Sequence, residues 1–441
     1  MGSVSKHCLE ALPGELLDSI IEPLELDDIC NIRLCSRTLA AKAVQGRYKA
    51  YFYRKTVKIN QKFLLDFERV TKSSGLGCLV QDLILAGVLD EKRARTSSSE
   101  ELDLLYLSTK KPRDLISLLC DCLQNIVNAR GVYAVKTIAI RVLDERSNKP
   151  GTSYKDYYNN TPIRWRPGWS CASVTFHIVV ASLLGSGMMA EELRAFNDFD
   201  TQRCSLSSNT VCAILSCGQS GNVFHMIKRL SLNLYDPEFV SSFDGLRMVL
   251  ESSPQLEDLE LDQFWIGPGN AQGTRFSPGV PYDPASEASL LPAGAEQHLS
   301  KAFERASTAR RLPSLKKLRL SGLYTAENSL VRFVQRTSSR HFCMLRIKLT
   351  AGNFRLLFDH CTASGSMIGS VECEDLREPG GNVLFDDPTA NLKYSRRQLK
   401  RESEAIESPI RYYILGPHWV QDSGLWRVKR EHEIQHRYGP L

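Results

Sequence analysis

The chain has 441 residues, 42% of them hydrophobic and 24% charged, which suits two or three folded domains and excludes wholesale disorder. Its net charge of +6 is mild but uneven: residues 1–28 carry seven acids and one base, and residues 29–65 carry nine bases and no acid. The stretch from Leu392 is also basic, with ten bases against six acids. Thirteen cysteines are scattered without a C-x-x-C pair. Cys120-x-Cys122 and Cys212-x4-Cys217 have no His or Cys pair following at ligand spacing, so no metal site is expected. Cys30, Cys35 and Cys78 sit in apolar patterns, where a free thiol acts as a small hydrophobe, and the expected compartment is reducing, cytoplasmic or nuclear. The first residues lack the apolar core of a secretion signal, and Lys6 breaks the myristoylation pattern. The most apolar run, Val174–Leu184, is too short to span a bilayer and contains His177, so a soluble protein without a membrane partner is expected.

The first element is a compact apolar pattern. Leu12, Leu16, Leu17, Ile20, Ile21 and Leu24 recur at helical spacing, Pro13 suits the first turn, and Pro23 ends the helix near Glu22. A second helix follows, capped by Asp27 or Asp28 and carrying Ile29, Ile32 and Arg33. Ser36 caps a third, with Leu39, Ala40, Ala43 and Val44. Three helices in so short a stretch bury little alone, so one face is expected to be covered by a partner. Leu12-Pro13-x-Glu15-Leu16-Leu17, then Ile20, Leu24 and Asp28-Ile29, then Ile32-Arg33-Leu34-Cys35-Ser36-Arg37-x-Leu39, resembles the F-box in order and spacing. It departs at Leu39, where many members carry Trp, and at Cys35, where Val is common; both stay apolar. The resemblance implies binding to the Skp adaptor of a cullin-based ubiquitin ligase. Carried over by position, Leu12, Pro13, Leu16, Ile20, Leu24, Ile29 and Leu39 are the expected adaptor contacts. The basic run after Ile29 would favour an acidic adaptor surface.

Beyond this module an apolar-x-x-apolar-x-apolar element returns: Val80/Leu83/Leu85, Val135/Ile138/Ile140, Ile227/Leu230/Leu232, Leu256/Leu259/Leu261, Leu315/Leu318/Leu320 and Phe342/Leu345/Ile347. Weaker copies are Val57/Ile59, Ala190/Leu193/Ala195 and Ile368/Val371/Cys373. Steps such as Val57 to Leu83, Leu230 to Leu259 and Leu318 to Leu345 match the period at which leucine-rich repeats alternate strand and helix. Helical faces fill the intervals: Phe63, Leu64, Phe67 and Val70; Leu115 to Val127; Phe176 to Leu184; Phe243 to Leu250; Leu299 to Ala306; and Leu330 to Val334. Strands joined by helical crossovers are expected to lie parallel. This portion resembles the divergent leucine-rich regions of F-box proteins, especially those of filamentous fungi. The Asn that regular repeats carry after the strand is absent, with Tyr235, Phe264, Leu323 and Thr350 in its place.

Insertions at 144–170 and 267–292 interrupt the period, and their Trp165 and Trp169, with Trp265 at the exit of a strand, are the candidate target contacts. In the tail, Asp422-Ser423-Gly424 between Trp419-Val420 and Leu425-Trp426 predicts a hairpin that caps the last repeat. His432 and His436 lack a third ligand. Gly218-Gln219-Ser220-Gly221 misses the nucleophile-elbow spacing, no phosphate loop is present, and nothing orients Cys204, Cys212 or Cys217 on His225 as a thiol–imidazole pair. Arg310-Arg311, Lys316-Lys317 and the 394–401 cluster carry no nucleic-acid signature, so no nucleic-acid partner is expected.

The expectation is an α/β chain: a three-helix F-box at 8–48, an irregular leucine-rich-repeat-like solenoid with parallel strands and outer helices at 49–391, and a cap at 392–441. Its expected role is the non-catalytic substrate receptor of an SCF-type ubiquitin ligase, without a cofactor, joining the Skp adaptor and its cullin to a protein target. An adaptor-bound scaffold that ubiquitinates nothing is the alternative.

Overall fold

The computed structural model describes residues 9–43, 47–72, 76–89, 110–131, 133–144, 165–197, 205–216, 221–235, 244–264, 301–309, 312–385, 397–402, 406–415, 419–422, 425–428 and 434–436. A 3-10 turn, Leu9–Ala11, leads into helices α1 (Gly14–Ile21), α2 (Leu26–Cys35), α3 (Arg37–Lys42) and α4 (Arg47–Ala50). Pro13 stands at the N-cap of α1, as its missing N–H allows. The cap of α2 is Glu25, without a side-chain bond; Asp27 and Asp28 fall in the first turn, where they complement the helix dipole rather than cap it. Ser36 does cap α3, its Oγ accepting from the Leu39 N–H at 3.1 Å. Leu17, Ile21, Ile29, Leu39, Ala43 and Tyr48 form a small core of their own, separate from the main one.

The remainder is built on a large, mostly parallel sheet. Its strands are β1 (Arg54–Lys58), β2 (Asp82–Leu89), β3 (Ala134–Asp144), β4 (Met189–Ala195), the short β5 (Leu206–Ser207), β6 (Arg229–Tyr235), β7 (Asp258–Phe264) and β8 (Lys317–Ser321). After β9 (Tyr324–Ala326) come β10 (His341–Leu345), β11 (Lys348–Ala351), β12 (Ser370–Glu374), β13 (Arg377–Glu378), β14 (Gly381–Phe385) and β15 (Gln398–Glu402). The order across the sheet is β1-β2-β3-β4-β6-β7-β8-β10-β12-β15, so almost every strand lies beside its neighbour in sequence. All these pairs are parallel except the last, where β15 runs antiparallel along β12 and closes that edge.

Register makes the sheet cohere. Leu83, Ile138, Leu193, Leu230, Leu259, Leu318, Phe342 and Val371 stand side by side across eight strands. Two residues on, Leu85, Ile140, Ala195, Leu232, Leu261, Leu320, Met344 and Cys373 form a second column on the same face. Both columns are buried, and each complete burial of a Leu, Ile or Phe contributes roughly 1.5–3 kcal/mol. Two copies of the repeat are shifted from the sequence expectation. Leu318 pairs with Phe342 and not Leu345, because the leading apolar position is occupied by the buried Ser339 while Leu345 lies on the opposite face. At the open edge Leu83 pairs with Lys55, and Val57 falls in the second column.

Helices cover the apolar face: α5 (Gln61–Lys72), α6 (Lys110–Arg130), α7 (Trp165–Ser186), α8 (Ser208–Leu215), α9 (Gly221–Phe224), α10 (Gly245–Glu251), α11 (Lys301–Ala306), α12 (Glu327–Gln335) and α13 (Arg355–Thr362). Leu64 and Phe67, Leu119 and Leu123, Phe176 and Val180, Leu246 and Val249, Leu330 and Phe333, and Leu357 and Phe358 join the columns in one core. Each long helix packs on the next, from α5 through α8 and from α10 through α13. Helix and sheet approach closely at Gly87, where an added Cβ would stand 2.0 Å from Thr175 Oγ1 and 3.2 Å from Cys171 Sγ.

A second sheet arises from the turns that leave the main one. Gly322, Arg346 and Asp375 follow β8, β10 and β12 with φ of 67°, 55° and 51°, swinging the chain into β9, β11 and β13. These pair in parallel, and β14, β16 (Tyr412–Leu415) and β19 (Ile434–His436) extend them antiparallel. The expected tail hairpin forms as β17 (Trp419–Asp422) and β18 (Leu425–Val428), but as a separate two-stranded sheet; the strand that closes the main sheet is β15.

Gly87→Ala is expected to cost about 1–3 kcal/mol by overpacking, and Thr175→Ala in the same chain to recover part of it. Urea unfolding of both single variants and the double checks this; additive losses would contradict the close approach.

Candidate interaction surfaces

The first surface lies on α1, whose apolar residues split into two stripes. Leu17 and Ile21, with the half-buried Leu24, face the small core. Pro13, Leu16 and Ile20, at helical spacing of three and four, face outward, Leu16 being 53% and Ile20 41% exposed. Leu12 is half-buried at the entry to the helix. Three of the expected contact residues pack on the small core instead, Leu24 half-buried against it and Ile29 and Leu39 within it. Ile29 and Leu39 are enclosed in the small core, at 0% and 6% exposure, so they support the surface and do not form it. Leu9 and Leu34 are exposed apolar residues not among the expected contacts, Leu34 reaching 85%; periodicity alone does not separate them from core positions.

Three of the nine bases of the 29–65 run, Arg33, Lys42 and Arg47, are drawn into this module, while Arg37, Arg54, Lys55 and Lys62 stay exposed. Lys42 Nζ donates to the carbonyls of Glu10 at 2.8 Å and Leu12 at 2.7 Å. Arg47 Nε and the Tyr51 hydroxyl donate to the Leu24 carbonyl at 3.2 and 3.1 Å. The Arg33 guanidinium lies 4.0 Å from the centroid of the Tyr48 ring.

The second surface is the face of the sheet opposite the helices, where charge alternates from strand to strand. One row reads Thr137, Glu192, Arg229, Asp258, Lys317, His341 and Ser370. The next reads Arg194, Ser231, Glu260, Arg319, Cys343, Glu372 and Lys400. Glu192, buried, accepts from Thr137 Oγ1 at 3.2 Å and pairs with Arg229 at 3.2 Å. Glu260 pairs with Arg319 at 3.2 Å and accepts from Ser231 Oγ at 3.2 Å. Below them Lys316 pairs with Glu257 at 2.8 Å and Lys228 with Glu191 at 3.5 Å. Burial holds the Asp258 carboxyl above its ordinary pKa, against the pull of Lys317. At the closing edge Arg397, just before β15, pairs with Asp375 at 3.6 Å, and Lys400 pairs with Glu402 on β15 at 3.0 Å. Lys316, Arg397 and Lys400 are thus committed to carboxylates, while Arg401 donates to the Ser408 and Pro409 carbonyls.

Trp165 and Trp169 fall on the first turns of α7, so this part of the 144–170 insertion is helical rather than loop; their side chains lie outside the described residues. Trp265 and the 267–292 insertion lie outside them entirely, as do Cys204, Cys217, His432, Arg310 and Arg311. Burial pushes the thiol pKa of Cys171 and Cys343 up to about 11 and that of Cys122 and Cys361 to about 12, and raises Cys373 well above its ordinary value. Such thiols stay protonated near neutrality and are poor nucleophiles. Among the described residues no group of three His, Cys, Asp or Glu is placed to hold a metal ion, and no helix is long and apolar enough to cross a membrane.

No protein-family model matches the chain, and no curated protein matches it in sequence.

A double-mutant cycle on Glu260→Ala and Arg319→Ala is expected to give a coupling of about 0.2–1 kcal/mol in urea unfolding, the range for exposed cross-strand pairs. A coupling indistinguishable from zero would remove the ladder from the forces that set strand order.

Proposed function

We propose that this chain is the substrate receptor of an SCF-type, cullin-based ubiquitin ligase. The N-terminal helices act as an F-box that holds the Skp adaptor, and the α/β array acts as an irregular leucine-rich-repeat solenoid that captures a protein target. The observation that carries the reading is the uncovered stripe Pro13, Leu16 and Ile20 on α1, within the very stretch whose spacing resembles the F-box. An apolar stripe of this kind beside a complete small core is what a partner-covered helix presents.

The array reading is supported by in-register columns that continue across eight strands and by helices that each pack on the next, the nearest-neighbour logic of repeat proteins. In place of an Asn ladder, the turn after the strand uses a left-handed residue at Gly322, Arg346 and Asp375. The open, charge-patterned face of the sheet is the proposed site of target capture. The chain itself performs no bond chemistry; its contribution is proximity between a target lysine and a ubiquitin-conjugating enzyme. A cytoplasmic or nuclear setting agrees with the ten described cysteines, all of them free thiols.

Capture of the full chain by purified Skp adaptor tests the reading. Leu16→Asp and Ile20→Asp are each expected to weaken binding by at least about tenfold, since a charge replaces a desolvated apolar contact. Arg319→Ala, on the sheet, is expected to leave it unchanged. Undiminished capture by both α1 variants would overturn the assignment.

A further inference from the structure

Lys42 ends α3, yet its side chain serves a segment 32 and 30 residues earlier in the chain, the carbonyls of Glu10 and Leu12. That segment has few anchors of its own. Its 3-10 turn contains no buried residue, and a backbone bond runs across it from the Leu12 N–H to the Leu9 carbonyl, at 3.2 Å. Pro13 brings no N–H and gives α1 no side-chain cap. An ammonium bonded to two carbonyls makes charge-assisted hydrogen bonds, stronger than neutral ones. It ties the entry of α1 to the far end of the same three-helix module.

We infer that Lys42 is a positioning residue for adaptor capture: it fixes the chain as it enters α1, so that Pro13, Leu16 and Ile20 are presented already ordered. The inference rests on the adaptor-docking reading. It also gives this lysine a role that charge patterning alone would assign to an acidic partner. A docking segment held in place before encounter loses less conformational freedom on binding.

Full-length variants titrated against purified Skp adaptor by biolayer interferometry test the clamp. Lys42→Met keeps the apolar stem and removes the donors; it is expected to bind about tenfold more weakly, with part of the loss in the association rate. Lys42→Arg, which keeps charged donors, is expected to return within about threefold of wild type. Ser36→Ala removes the cap of the same helix α3 without touching the clamp, and is expected to bind as wild type. Wild-type affinity for Lys42→Met, or an equal loss in Ser36→Ala, would overturn the proposal, the second outcome by tracing the effect to helix stability. Leu16→Asp separates the two readings. If it abolishes capture while Lys42→Met does not weaken it, the clamp falls and the docking surface stands; if it binds fully, the docking surface itself falls.

Discussion

A single strand–helix unit in this chain cannot bury its own apolar face, and the parallel register supplies what it lacks. Each strand offers two inward residues, and only when the next strand stands level with it do those residues close into a column that helices can cover. A one-residue slip would carry Leu259 and Leu261 to the charged face and Glu260 into the core, so register and burial enforce each other. The charge rows add a second selection. On the open face the acidic β7 lies between the basic β6 and β8, so these strands have opposite charges as neighbours, which favours this order over others.

The N-terminal module follows a different logic on a smaller scale. Its helices close a core of few residues and spend one stripe of α1 on it, leaving the other stripe outward. Polar groups then secure the ends of that helix: Lys42 at its entry, and Arg47 with Tyr51 at the Leu24 carbonyl beyond its exit. A face that is rigid, apolar and uncovered is costly unless something binds it, and this links the module's packing to its proposed role.

Much of this was legible in the sequence, because period-two burial writes itself into residues such as Leu230/Leu232 and Leu318/Leu320. The misread copies have physical causes. In β10, Phe342, Met344 and Leu345 are all apolar, so pattern alone gives no face, and the buried Ser339 hides the leading position. In β1, at the sheet's edge, Lys55 occupies a column that is apolar elsewhere. At Ile29 and Leu39 the motif does not separate contact from core, because an apolar residue looks the same in sequence whether it faces the core or a partner. The left-handed turns at Arg346 and Asp375 had no signal at all, since neither residue is the glycine that such turns favour. The Lys42 clamp was equally silent, because it joins positions far apart in the chain.

The central claim is that the chain is a bridge whose adaptor end is the α1 stripe and whose target end is the sheet. Hydrogen exchange of the full chain, with and without saturating Skp adaptor, addresses it most directly. The account predicts slowed exchange across residues 9–24, with the strands of the parallel sheet unchanged. Slowing along the sheet with residues 9–24 unaffected would contradict it.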